Sequence, residues 1–203
     1  MASVKVEYDG ENFTVLSSDK DGNTMSLKGD ALFLATGVVP NSDQLRLENT
    51  GLKIDDRGFI KVDDHLRTAV EGVYALGDVV GNYMFRHSVN FEGEYLMRTL
   101  FSDPSDEPIK YSPVPYAVFS SPQIAGVGKT EDELIEEGVK YVKGVNHYKN
   151  SAMGDALRSE HGFVKLLFDK NSRKLIGAHI VGEEASNMIH MLIAYMNMDA
   201  GLD

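Results

Sequence analysis

The 203-residue chain contains no cysteine. That excludes disulfides, thiolate metal sites and a cysteine nucleophile within it. Positive charge is scarce as well: 20 Lys and Arg stand against 31 Asp and Glu, a formal net charge of −11. Such a balance repels phosphate backbones and anionic lipid, so neither nucleic acid nor a membrane is an expected partner. Long apolar runs are missing too. The longest nearly uncharged stretch, around Met188 to Met198, is too short and too polar to span a bilayer, and the amino terminus lacks the charged-then-apolar layout of a signal peptide. A cytoplasmic protein is therefore expected. The six His are scattered, with no His-Glu-x-x-His or paired spacing, which leaves no basis for a metal site.

What is present is strongly punctuated. Val4 to Tyr8 alternates strictly, Asp9-Gly10 signals a turn, Phe13 to Leu16 continues as strand, and Asp21-Gly22-Asn23 leads into Met25 to Lys28. This pattern predicts an antiparallel meander. Ala31 to Ala35 is apolar without alternation, as in a strand covered on both faces, and ends in Thr36-Gly37-Val38-Val39-Pro40-Asn41. After an irregular link from Leu45 to Gly51 and the Asp55-to-Gly58 turn, Phe59 to Val62 reads as an edge strand.

The stretch Thr68 to Gly81 organises this half of the chain. Val73 to Leu76 fits a short buried strand, and Gly77 then lets the backbone turn so that Asp78 emerges at its carboxyl end. Open α/β sheets bind ligands at that position, although Gly-Asp taken alone is more simply a plain turn with a solvated acid. A helix is predicted from His87 or Ser88 to Phe101, stopped by Asp103-Pro104.

Pro104 to Pro115 is proline-rich and acidic and reads as a boundary near residue 108. Beyond it the pattern is α+β. Strands are predicted at Val114 to Phe119, Ile124 to Val127, Val139 to His147, Phe163 to Phe168 and Lys174 to Val181, with Lys170 to Arg173 as a hairpin turn. Thr130-Glu131-Asp132-Glu133 is a capping box opening a short acidic helix that ends at Gly138. The last helix, Glu183 to about Asn197, is apolar around most of its circumference and should be buried on more than one side. Either it is a central core helix or it packs on another subunit.

Several words in this order resemble the pyridine nucleotide-disulfide oxidoreductases, the family of dihydrolipoamide dehydrogenase, glutathione reductase and mycothione reductase. They are Ala35-Thr36-Gly37-Val38-Val39-Pro40-Asn41; Thr68 with Val73-Tyr74-Ala75 and Gly77-Asp78; Arg86-His87-Ser88; Glu92-Gly93; Phe119 to Gly128; Gly162 to Asp169; and Gly177 to Gly182 with Ala185-Ser186. The resemblance spans essentially the whole chain. It implies an α/β plus α+β fold: a partial FAD/NAD(P)-binding domain followed by an α+β dimerisation domain with an antiparallel sheet. Residues 1–41 would be the end of the NAD-binding domain, 42–108 the returning part of the FAD-binding domain, and 109–203 the dimerisation domain, truncated at its end.

The chain then resembles a fragment, without the family's Gly-x-Gly-x-x-Gly, redox-active cysteine pair, NAD-binding glycine motif or terminal His-Pro. By the same resemblance Asp78, following Gly77, would hydrogen-bond a ribityl hydroxyl of FAD, and the backbone of Arg86, His87 and Ser88 at a helix start would face the flavin ring. Gly37 would sit where nicotinamide and flavin halves meet, or else is a plain turn glycine. Arg86 departs from the small residue usual in the family, and Ser120 and Gln123 depart from its Phe-Thr-x-Pro-Glu word. His87, taken on its own, is a surface or capping residue, and His179 a satisfied core or interface histidine. FAD and NAD(P) would belong to the parent enzyme, together with a disulfide substrate and a homodimer through residues 109–203. This chain alone is expected to bind little or no FAD and to carry no catalytic residue. The alternative is a stand-alone dimerisation or binding module without redox activity.

Overall fold

A computed structural model of the chain describes residues 3–19 and 21–202; the expected outer domain limits at residues 1 and 203 lie outside them. The chain divides into two compact units, Met1–Ile109 and Lys110–Asp203.

The first unit opens with the predicted meander: β1 (Ser3–Tyr8), β2 (Phe13–Ser18) and β3 (Thr24–Gly29), paired antiparallel in that order. The register sets Val6 opposite Val15 and Tyr8 opposite Phe13, and Val15 in turn opposite Leu27. Period-2 alternation therefore gathers the apolar residues on one face, where the Tyr8 and Phe13 rings lie 4.6 Å apart. Both hairpin turns are closed by an aspartate: Asp9 Oδ1 accepts from the Glu11 and Asn12 N–H groups, and Asp19 Oδ1 from those of Asp21 and Asn23.

Three strand expectations fail in this unit. Ala31 to Ala35 pairs with nothing among the described residues, and Phe33 is 91% exposed. Phe59 to Val62 contributes only an isolated bridge between Ile54 and Ile60, and Val73 to Leu76 only one between Arg67 and Tyr74. The physical reasons differ: Ala31 to Ala35 meets no described neighbour that accepts and donates along its edges, whereas Phe59 to Val62 and Val73 to Leu76 each make a few backbone bonds to nearby segments, such as Lys61 N–H to the Lys53 carbonyl and Ala75 N–H to the Leu66 carbonyl, too few to extend into a ladder. The Leu45-to-Gly51 link is instead mostly 3₁₀ helix, in two turns at Asn41–Leu45 and Leu47–Asn49.

The core of the unit forms around those loops. Leu66, Tyr95 and Leu96 are buried together, with Val62, Tyr74, Leu76 and Ile109 packed against them. α1 (Arg86–Met97) supplies Tyr95 and Leu96 and continues as a π turn over Arg98–Ser102. The helix ends before Pro104, as the sequence pattern predicts. The segment that follows is tied back: the Tyr95 hydroxyl donates to the Glu107 carbonyl at 2.8 Å, Ile109 N–H to the Asp64 carbonyl at 2.8 Å, and Arg67 pairs with Asp106. The Arg67 guanidinium holds the Asp106 carboxyl below its ordinary range.

The second unit is an antiparallel sheet in the order β4-β5-β8-β7-β6: β4 (Tyr116–Val118), β5 (Ile124–Gly128), β6 (Tyr141–His147), β7 (Phe163–Asp169) and β8 (Leu175–Val181). Alternating Ala125 and Val127 of β5 and Ala178 and Ile180 of β8 meet Ala185 and Ile189 of α4 (Ala185–Asn197) in one buried cluster. α2 (Glu131–Glu136) begins at the predicted capping box: Thr130 Oγ1 accepts from Glu133 N–H, and Glu133 Oε2 from Thr130 N–H. The hairpin turn at Lys170 to Arg173 is held by Asp169 Oδ1, which accepts from Asn171 and Ser172. His179 Nε2 donates to the Lys129 carbonyl at 3.0 Å, making it a satisfied histidine in a half-buried position. α3 (Ala152–Ala156) carries no signal in the sequence, because five residues are too few to display a helical period.

Of the two alternatives for α4, the structure contradicts the central core helix. Its Ala185 and Ile189 side is covered, but Met191 is 65% exposed and Tyr195 50% exposed on the other. Within this chain the helix is buried on one side only.

Candidate functional site

The Gly77-Asp78 turn is built by its surroundings rather than by a preceding strand. Residues Gly77–Val79 form a single 3₁₀ turn, with Val80 N–H donating to the Gly77 carbonyl at 3.0 Å and Ile60 N–H to the Val79 carbonyl at 3.0 Å. Gly77 is required twice over. Its φ is +77°, and a Cβ there would lie 2.6 Å from Val89 Cγ2 on α1. Turn and helix are thus in van der Waals contact through a position that tolerates no side chain.

Within this packed turn Gly77 and Val80 are buried while Asp78 is exposed. Among the described residues its carboxylate has no hydrogen-bond or ion-pair partner. α1 starts soon afterwards in sequence, with Phe85 as an N-cap that offers no side-chain acceptor. Of the three residues expected to present their backbone, Ser88 already donates its N–H to the Phe85 carbonyl at 3.1 Å, and its side chain is buried. Arg86 and His87 are exposed, and their N–H groups precede the first bonded turn. A carboxylate open to a hydroxyl, together with donor groups at a positive helix end, is a set that fits a polyhydroxyl chain joined to a ring that takes up negative charge. In that respect the residues fit a flavin.

Gly37 does not join this constellation by any contact the structure records. It is exposed with φ +103°, and a Cβ would meet nothing within 4 Å, so in this chain it has the attributes of a turn glycine.

The residue to which sequence reasoning assigns no role is Glu92. It is 1% exposed, on the same side of α1 as Ser88, Tyr95 and Leu96, and its Oε2 accepts from the Gly77 N–H at 2.6 Å. An acidic residue at a four-residue step along an otherwise buried helix face is the available signal.

The second unit holds a cavity of about 370 Å³ lined by Tyr148, Met153, Leu157, Val164, Glu183 and Met188 among others. None of the expected site residues lines it. No cluster of His, Asp and Glu suited to a metal occurs among the described residues. No described helix is long and apolar enough to cross a membrane.

The same anatomy recurs in known proteins. Residues 1–93 match the pyridine nucleotide-disulphide oxidoreductase domain, and residues 114–203 match the dimerisation domain of the same family. The dihydrolipoyl dehydrogenase of Cupriavidus necator is 40% identical over 189 residues, covering 92% of this chain and 39% of that protein. The mycothione reductase of Mycobacterium tuberculosis is 38% identical, covering 87% of this chain and 39% of that protein. Among solved structures, LpdA from Mycobacterium tuberculosis superposes with a TM-score of 0.77 at 26% identity, over 98% of this chain and 42% of that one. The HOCl-induced flavoprotein disulfide reductase RclA from Escherichia coli shares the fold, with a TM-score of 0.81 at 24% identity, over 98% of this chain and 45% of that one. The chain thus spans 39% of the length of each of these two curated relatives. With both domain matches in the family's order, the chain belongs to the pyridine nucleotide-disulphide oxidoreductase family.

Proposed function

We propose that this chain is the carboxyl-terminal portion of an FAD-dependent NAD(P)H:disulfide oxidoreductase of the cytoplasm, homodimeric through residues 109–203. The observation that carries the proposal is the exposed carboxylate of Asp78 together with the uncapped start of α1. When bound, FAD supplies the two-electron relay between a nicotinamide and a disulfide. In that setting Asp78 would accept from a ribityl hydroxyl, and the N–H groups of Arg86 and His87 would favour negative charge on the ring. The relatives are named for dihydrolipoyl and mycothione chemistry, and a disulfide of that kind is the substrate class we assign to the whole enzyme.

The 203 residues alone carry no cysteine to take part in disulfide exchange, so we assign them no catalysis by themselves. The purified chain is expected to be colourless; a flavin absorbance spectrum that persists through gel filtration overturns the expectation that it retains little or no FAD. The open face of α4 favours a second reading, a dimerisation module without redox activity. The two readings part on FAD titration followed by backbone NMR, since only the first expects shifts centred on Asp78 and Arg86 to Ser88.

A further inference from the structure

We infer that Glu92 is the residue that positions the Asp78 turn, by clamping the Gly77 N–H to the buried side of α1. The inference rests on the flavin-facing reading of Asp78 for its functional meaning, but its structural content stands apart from that reading.

Glu92 is a carboxylic acid at 1% exposure inside a small core, and such a group is costly to bury unless a donor meets it. The Gly77 N–H provides one at 2.6 Å, across 15 residues of sequence. This bond joins the two elements of the proposed site, since Glu92 lies one helical step beyond Ser88 on the helix whose start would face the ligand, and Gly77 immediately precedes Asp78. The other restraints on the turn act differently. Val89 limits how closely Gly77 approaches the helix, and the Ile60 bond holds the far side of the turn at Val79. The Glu92 bond fixes the orientation of the peptide plane between Leu76 and Gly77, and the Val80 N–H bond to the Gly77 carbonyl fixes the next plane, so that the two together set the direction in which Asp78 leaves the turn. Glu92, buried behind the turn and acting through the Gly77 N–H, is a positioning residue. The bond also gives this position a reason to carry an acceptor oxygen where Tyr95 and Leu96 fill the neighbouring positions on the same helix side.

The test compares E92Q, which keeps an acceptor oxygen at similar reach, with E92L, which keeps volume and removes it. Amide hydrogen exchange in the full chain is the primary readout. Exchange at the Gly77 N–H is expected to accelerate about tenfold or more in E92L and to stay near the parent rate in E92Q, with the Leu66 and Ala75 amides of the same unit unchanged in both. Unchanged protection at Gly77 in E92L overturns the inference. So does loss at Gly77 together with Leu66 and Ala75, because Glu92 would then hold the unit generally rather than the turn. FAD titrated by NMR supplies the second arm. If the parent responds at Asp78, E92L should weaken that response about fivefold or more while E92Q restores it, and an undiminished response in E92L overturns the inference. If the parent does not respond, the flavin reading of Asp78 fails, and the Gly77 exchange rate alone decides the role of Glu92.

Discussion

Gly77 and Gly93 flank the start of the same helix and sit in opposite surroundings. Gly77 has φ +77° and Val89 at 2.6 Å from any added Cβ, whereas Gly93 lies in α1 with nothing within 4 Å of that position. Gly77→Ala should therefore destabilise the first unit by about 2–4 kcal/mol through backbone strain and a forced clash. Gly93→Ala should be neutral or stabilising by about 0.5–1 kcal/mol, since a helix interior favours alanine. Urea denaturation of the two variants checks both signs. Glu131 stands in the first turn of α2. Lys143, then the Tyr141 hydroxyl, with Lys165 adding a third contact, hold its pKa down from 4.5 to about 2. A folded-state value below the unfolded one means stability that is present above about 4.5 and lost as pH falls through about 2. Glu131→Gln should thus lower the thermal midpoint at pH 7, with the difference from the parent shrinking progressively below pH 4.5, as calorimetry across that range would record.

At the scale of elements, α4 carries the clearest expectation. Its inner side is packed by Ile189, Met188 and Leu192 against β5 and β8, and its outer side leaves Met191 and Tyr195 to solvent. Large apolar and aromatic side chains on an open helix face are what a dimer interface buries at its centre. If the family's dimerisation domain works as such in this chain, the double variant Met191→Lys with Tyr195→Glu should shift light-scattering mass from dimer towards monomer. Equal masses for parent and variant count against the proposed homodimer. Elements also differ in how legible they are in the sequence. The meander, the Lys170 hairpin and the α2 cap can be read directly, because alternation, turn residues and a Thr-x-x-Glu spacing act within a few positions of one another. Val73 to Leu76 cannot, because its composition suits a strand while its pairing depends on residues elsewhere, and the structure gives it one bridge to Arg67. Within the candidate site, Asp78, Arg86 and His87 stand out from their words, but Glu92 has no recognisable role in the sequence, since its partner lies 15 residues away.

At the scale of the whole molecule, much apolar surface stays open. The apolar side of the meander exposes Val4, Tyr8, Met25 and Leu27, each at least 60% accessible, and Phe33, Leu34 and Val39 follow them in sequence. Patches of this kind mark surfaces that are covered in a larger assembly. The folded chain should bind a hydrophobic dye such as ANS under native conditions, and Met25→Glu with Leu27→Lys should reduce the fluorescence without loss of far-ultraviolet dichroism. Dye binding unaffected by that pair would assign the open surface elsewhere. The net charge of −11 opposes non-specific association of these patches by mutual repulsion.

By themselves, the residues determined the family, the mixed α and β character, the hairpins and caps, and the absence of any thiol chemistry within these 203 positions. Each of these follows from composition or from short-range pattern, where steric and hydrogen-bonding preferences operate between near neighbours in the chain. Tertiary structure alone decided which apolar runs became strands, that α4 is covered on one side, and that a buried glutamate grips the turn that presents Asp78. Those outcomes depend on partners brought together from distant positions, because pairing and burial are properties of the packed chain and not of any segment within it.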